Sequence, residues 1–150
     1  MSQEIRRIYE FDAQLIKLLF LQSGMPNSSP NEGFFGNERN VLLVSYYDGA
    51  PSGFLYGYAL EALNSCQPKM FLYSIDVFPS FRKKGIGTAL IEEFTKIASS
   101  LNCSKIFVLT NGSNQAAMRL YEKTGGKREN PDDVMYVYDL GSGATEGTSL

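Results

Sequence analysis

The chain has 150 residues, 43% apolar and 13% aromatic, enough for a domain with a sizeable core and too apolar for a disordered segment. A formal net charge of −2 argues against a surface built to wrap nucleic acid. There is no histidine, which excludes Ser-His-Asp and Cys-His catalysis and the usual zinc sites. No metal is expected, and any chemistry falls to Tyr, Asp, Glu, Lys, Ser, Cys or backbone groups.

In chain order, "IRRIY" (Ile5 to Tyr9) reads as a first strand, and "DAQLIKLLFL" as a helix capped by Asp12 with Leu15, Ile16, Leu19 and Phe20 on one face. Gln22 to Asn40 is rich in Gly, Pro, Ser and Asn and predicts a long loop with one short helical turn. "VLLVSYY" and "GFLYGYALE" predict two strands joined by the turn "DGAP", a hairpin. "KMFLYSIDVF" is a further strand, stopped by Pro79. A helix follows over Thr88 to Leu101, with Ile86, Leu90, Phe94, Ile97 and Leu101 along one side. "KIFVLT" reads as a buried-type strand, "NQAAMRLYEKTGG" as a helix ended by Gly125, and "DVMYVYDL" as a last strand. We expect one domain over residues 1–140 and a disordered tail over 141–150, "GSGATEGTSL".

The order is β-α-loop-β-β-β-α-β-α-β, an α/β (α+β) fold with a mixed sheet and helices. The strand–helix–strand unit from Lys69 to Thr110 makes its two strands parallel. The N-terminus is charged early and lacks the apolar core of a signal peptide. No apolar run approaches about 18 residues, so no membrane span is expected. Cys66 and Cys103 match no metal or redox spacing and read as reduced thiols of a cytoplasmic protein.

The stretch "FPSFRKKGIGTALIEEF" carries the strongest chemical signal. Gly85 and Gly87 open a helix just after Arg82, Lys83 and Lys84. A helix N-terminus leaves N–H groups without partners and carries partial positive charge, and glycines clear side chains from it. The result is a phosphate cradle. It is neither a P-loop nor a dinucleotide fingerprint, since it lacks G-x-x-x-x-G-K-[ST] and a third glycine at Leu90.

The pattern Arg82-x-x-Gly85-x-Gly87 resembles the coenzyme A pyrophosphate loop, [QR]-x-x-G-x-[GA], of the GCN5-related N-acetyltransferase (GNAT) family. About 27 residues beyond Gly87 come Asn114, Ala117, Leu120, Tyr121, Lys123 and Gly125. They match that family's N-x-x-A-x-x-L-Y-x-K-x-G on the next helix. The resemblance covers roughly Ile5 to Leu140. It implies a mostly antiparallel mixed sheet, helices on both faces and a splayed central strand pair. Gly126 departs from the family's usual apolar residue and is expected to loosen packing after the helix. A narrower resemblance is to the short aminoglycoside 3-N-acetyltransferases, most particularly in Asp133, Val134, Met135 and Asp139. Two departures separate the chain from them: Ser74 stands where an acidic residue is usual, and Gln22–Asn40 is shorter.

The resemblance implies an acetyl-CoA-dependent N-acetyltransferase. The backbone N–H groups of Arg82, Lys83, Lys84, Gly85, Ile86, Gly87 and Thr88 would hold the pyrophosphate. The Val77 N–H would polarise the thioester carbonyl, and Tyr121 would protonate the leaving thiolate. Tyr121 reads otherwise as a core-edge tyrosine. Asn114 would meet the pantetheine arm or simply cap its helix. The acceptor amine must be neutral to attack, and an alkyl ammonium with pKa ~10.4 is only about one part in a thousand neutral at pH 7. Asp76, beside Val77, is the candidate base; the alternative is a structurally paired aspartate. Asp132, Asp133 and Glu61 are weaker candidates for attracting a cation. Phe54, Tyr56 and Tyr58 alternate on one strand, and either line an acceptor pocket or pack under a helix. The expected partner is a small-molecule amine, with an aminoglycoside as the specific case and a homodimer as a further expectation. A protein or peptide acetyltransferase and a non-catalytic coenzyme A-binding relative are the alternatives.

Overall fold

The computed structural model describes residues 2–141. Apart from Gly141, the expected tail therefore lies outside the described residues. Backbone contacts divide the chain into a unit ending at Leu109 and a second beginning at Thr110.

The first unit is a five-stranded sheet in sequential order: β1 (Gln3–Arg7), β2 (Asn40–Tyr47), β3 (Ala50–Leu60), β4 (Lys69–Val77) and β5 (Ile106–Val108). The first three pairings are antiparallel, and β4–β5 is parallel as expected of a strand–helix–strand unit. The β2–β3 hairpin turns on two residues alone, Asp48 and Gly49, both at positive φ, so Ala50 and Pro51 belong to the strand rather than the turn.

Helix α1 (Ala13–Gln22) starts where the Asp12 carboxylate accepts from the Leu15 N–H at 3.1 Å. Its Leu19 joins Leu42, Val44, Phe54 and Phe78 in one core cluster. A short 3-10 turn, Glu32–Gly36, brings Phe34 and Phe35 against the same cluster. Helix α2 (Ile86–Ser100) covers the opposite face, and its Phe94 ring lies against the Cα of Gly57. Its buried stripe is Ile86, Leu90, Ile91, Phe94 and Ala98. Ile97 and Leu101, expected on that stripe, sit at its rim because the stripe continues from Phe94 to Ala98, four residues on, whereas Ile97 is only three residues on. Burying a side chain of this size fully contributes about 1.5–3 kcal/mol.

The second unit carries α3 (Gln115–Lys123). All three helices end alike. A left-handed residue follows each C-cap: Gly24, Asn102 and Gly125. The next N–H then reaches back over the last turn, Met25 to Phe20 at 2.7 Å, Cys103 to Ala98 at 3.0 Å and Gly126 to Tyr121 at 2.8 Å. This corrects the expectation for Gly126. A Cβ there would stand 2.9 Å from the Tyr121 carbonyl oxygen, so the glycine permits a close closure rather than loosening it.

The expected last strand is also corrected. Residues 133–140 take no strand pairing, and Val134, Tyr136, Tyr138 and Leu140 are exposed. A strand needs a neighbour for its backbone groups, and alternation alone does not supply one. Among the described residues no helix is long and apolar enough to cross a membrane.

Candidate active site

Strand β4 organises the site. Its register against β3 slips between Tyr56 and Gly57, so Tyr73 is an extra residue, a β-bulge. Before the bulge, Met70 and Leu72 are buried on the α2 face. After it the parity reverses. Ser74 pairs with Tyr56 and Asp76 with Phe54, which puts Asp76 on the α1 face.

Strand β5 accompanies β4 only over Met70–Leu72. Beyond Leu72 the two strands have no ladder between them, the expected splay. Phe78 donates its N–H to Ser52 O on the β3 side at 2.9 Å. By strand alternation the Val77 and Ile75 N–H groups point to the other, unpaired side. The sequence reading named Val77 alone. Ile75 was missed because nothing in composition marks which N–H groups a splay leaves open.

Asp76 is held rather than free. Its carboxylate accepts from Ser23 Oγ at 2.6 Å and lies 3.7 Å from the Arg82 guanidinium, with 30% of its side chain exposed. Ser23 is the C-cap of α1, so the end of that helix orients the candidate base. It is a second residue the sequence reading missed, and the helix-ending Ser-Gly pair was the available signal.

Arg82 turns back on the strand and donates from Nε to the Val77 carbonyl at 2.9 Å. Lys84 rests its ammonium 5.2 Å from the centre of the Tyr47 ring, and the side chains of Arg82, Lys83 and Lys84 are all exposed. Lys83 and Gly85 adopt positive φ, and Gly85 is the N-cap of α2. No side chain caps this helix, and its first intrahelical bond is Ala89 N–H to Gly85 O at 3.1 Å. The N–H groups of Ile86, Gly87 and Thr88 are therefore the orphan donors of a helix start, and nothing lies within 4 Å of where a Gly85 Cβ would be. Oxygen anions fit such an arrangement.

In the second unit, Asn114 caps α3 by accepting from Ala117 N–H at 3.1 Å. That is the capping half of the expectation, and it occupies the side-chain oxygen but not the amide nitrogen. Tyr121 lies on α3, two residues before its end, and burial pushes its phenol above the ordinary tyrosine value. Glu61 is paired with Arg39 at 2.8 Å. Asp132 and Asp133 are exposed. Among the described residues no group of three His, Cys, Asp or Glu side chains is placed to hold a metal ion.

A parallel βαβ unit thus joins a bulged, splayed strand to a glycine-started helix whose first N–H groups have no partner in the chain. Residues 4–126 match the model of the acetyltransferase (GNAT) family, and the chain belongs to that family. It is 28% identical over 124 residues to an N-alpha-acetyltransferase of Sulfurisphaera tokodaii, covering 76% of this chain and 73% of that one. It is 37% identical over 51 residues to acetyltransferase SG1711 of Sodalis glossinidius, a match spanning 34% of this chain and 36% of that protein. Among solved structures it resembles the aminoglycoside acetyltransferase meta-AAC0020 from an uncultured soil metagenomic sample. The TM-score is 0.81 at 24% identity, over 92% of this chain and 96% of that one. That protein has also been solved in complex with sisomicin.

Proposed function

We propose that this chain is an acetyl-CoA-dependent N-acetyltransferase acting on a primary amine of a small polar acceptor, with an aminoglycoside as the specific case. One observation carries the reading. β4 parts from β5 after Leu72 and leaves the Ile75 and Val77 N–H groups unpaired, on the same strand that leads into the uncapped, glycine-started α2. Bound acetyl-CoA supplies an activated acyl group as a thioester.

The chain's own groups then divide the work. The orphan N–H groups of Ile86, Gly87 and Thr88 bind the pyrophosphate, each charge-assisted bond contributing roughly 1.5–3 kcal/mol. The loop from Arg82 to Gly85 leads into that cradle. Val77 N–H stabilises negative charge developing on the carbonyl oxygen. Asp76, held by Ser23, takes the proton from the acceptor ammonium directly or through water. Tyr121 donates its phenolic proton to the sulfur, for which a raised pKa suits it by keeping the phenol protonated. Asn114, beyond its capping bond, offers its amide nitrogen to the pantetheine arm.

The aminoglycoside acceptor rests on the Asp133-Val134-Met135 and Asp139 pattern and on the likeness to meta-AAC0020. A protein N-terminus is the second reading, favoured by the likeness to the N-alpha-acetyltransferase of Sulfurisphaera tokodaii. Free-thiol release from acetyl-CoA, run with gentamicin-type and kanamycin-type aminoglycosides, spermidine, amino acids and short peptides, tests both. Turnover with aminoglycosides alone upholds the specific case. Turnover with peptides alone transfers the activity to protein substrates, and thiol release with none of them ends the proposal.

A further inference from the structure

The α1 face of the sheet carries a continuous row of aromatic rings. Phe20 meets Phe54 at 5.3 Å between centroids, and Phe54 stacks on Tyr56 at 6.2 Å. Tyr56, Tyr58 and Tyr73 then form a triangle, with centroids 5.3 Å apart for Tyr56–Tyr73, 5.8 Å for Tyr58–Tyr73 and 6.3 Å for Tyr56–Tyr58. Phe71 continues the row from Tyr73 at 5.6 Å.

The row changes character along its length. Phe54, under α1, is 1% exposed, whereas Tyr56, Tyr58 and Tyr73 all keep part of their surface in solvent. Phenylalanine fills the closed end and tyrosine the open end, as expected where rings must pack on one side and meet water or a polar ligand on the other. Burial and, secondarily, Tyr73 shift the Tyr58 phenol upward, and the two ring centroids lie 5.8 Å apart.

The open end begins one diagonal step along the sheet from the candidate base. The bulge at Tyr73 brings Ser74 opposite Tyr56 and Asp76 opposite Phe54 on this same face. Asp76 and Tyr56 are thus diagonal neighbours, roughly 7–8 Å apart along the sheet. Asp76 is already engaged by Arg82 and Ser23, and Glu61 by Arg39. What the face presents beside Asp76 is the ring surface of Tyr56, with the rings of Tyr73 and Tyr58 beyond it.

We infer that Tyr56, Tyr58 and Tyr73 form the acceptor-recognition surface, and that it selects an amine borne on or beside a ring. The inference rests on the N-acetyltransferase reading and narrows its acceptor. A ring lies along tyrosine faces, its ammonium gains from their π-clouds, and its hydroxyls meet the phenols. An open-chain amine of equal charge covers less of the surface and loses more rotational freedom on binding. Two sources present this chemistry, amine-bearing sugars and arylalkylamines.

The test compares kcat/KM for glucosamine and tyramine with n-hexylamine, and for kanamycin with spermine, so that each ring amine is set against an open-chain amine. Wild type is expected to favour at least one ring class by about ten-fold or more. Activity on glucosamine or kanamycin identifies the sugar source, and activity on tyramine the aryl source. Tyr58→Leu and Tyr73→Leu are expected to erase the preference through acceptor KM, with the KM for acetyl-CoA unchanged. Tyr58→Phe keeps the ring and is expected to keep the preference, which guards against a Leu variant that fails to fold. Open-chain amines turned over as well as ring amines overturn the inference and leave the N-acetyltransferase standing. Acetyl-CoA bound in calorimetry with none of these amines acetylated overturns it too. No binding of acetyl-CoA overturns the underlying reading as well.

Discussion

Gly57→Ala would test the bulge that organises the site. Gly57 pairs with Leu72, on the far side of the register slip. A Cβ at this position would stand 2.2 Å from the Phe71 carbonyl oxygen and 2.7 Å from Phe94 Cζ. Ordinary contact begins at 3.4 Å, so the carbonyl must recede by 1.2 Å and the ring by 0.7 Å. Neither has room. Phe94 is fully buried between α2, which carries it, and the sheet, and the carbonyl belongs to the backbone entering the bulge. Overpacking costs about 1–3 kcal/mol, and a clash involving backbone belongs at the top of that range. With a urea m-value of roughly 2 kcal/mol/M, the unfolding midpoint falls by about 1.5 M. Gly36→Ala is the control, because a Cβ there meets nothing within 4 Å, and its midpoint is expected within about 0.3 M of wild type. Because the bulge decides which face Asp76 occupies, folded Gly57→Ala should also lose kcat/KM. Equal midpoints for the two variants would refute the reasoning, since they would mean that the bulge can yield.

Three further perturbations separate the roles. Asp76→Asn is expected to lower kcat/KM about 100-fold, while Ser23→Ala, which removes only its orienting bond, lowers it less than ten-fold; equal losses would reduce Asp76 to a structural partner of the α1 cap. Gly85→Ala meets no atom but must hold φ at 78°, so it should cost about 1–2 kcal/mol in stability and raise the KM for acetyl-CoA about ten-fold; an unchanged KM would remove the helix start from coenzyme binding. Tyr121→Phe should lower kcat about 100-fold at unchanged KM for acetyl-CoA. Burial raises the phenols of Tyr58 and Tyr121, so the folded protein holds these protons more tightly than the unfolded chain does near pH ~10. Their contribution to stability is fully present below that pH and is lost as pH climbs through the raised values. The Tm should therefore fall as pH rises above about 10, and less so in Tyr58→Phe and Tyr121→Phe.

Much of the first unit was legible because its signals are local. Asp12 at a helix start, Asp48-Gly49 between alternating strands and Gly85-x-Gly87 before an amphipathic run each act within a few residues. The site was legible as a set of residues but not as a geometry. In "KMFLYSIDVF" the buried positions Met70, Leu72 and Phe78 all share one parity, so burial along the strand shows no change of face, although Phe78 belongs to the α1-face cluster. Only the partner strand shows that the slip falls at Tyr73. Ser23 reaches Asp76 across 53 positions, a contact no window along the chain contains. The misread segment was "DVMYVYDL", whose alternation satisfies a strand's side-chain pattern without providing the second backbone that a ladder requires.

The motif that marks the pyrophosphate loop admits either arginine or glutamine at its first place, and Arg82 bears on whether the two are interchangeable in this chain. Its Nε bond to the Val77 carbonyl asks only for an N–H donor, which a glutamine amide also has. Its approach to Asp76 asks for a permanent positive charge, which glutamine lacks. Exchange at this one place would keep the latch between loop and strand while stripping the candidate base of its cationic neighbour. A choice that is neutral for tying the loop to the strand thus decides what stands beside Asp76, nine residues upstream of the loop's first glycine.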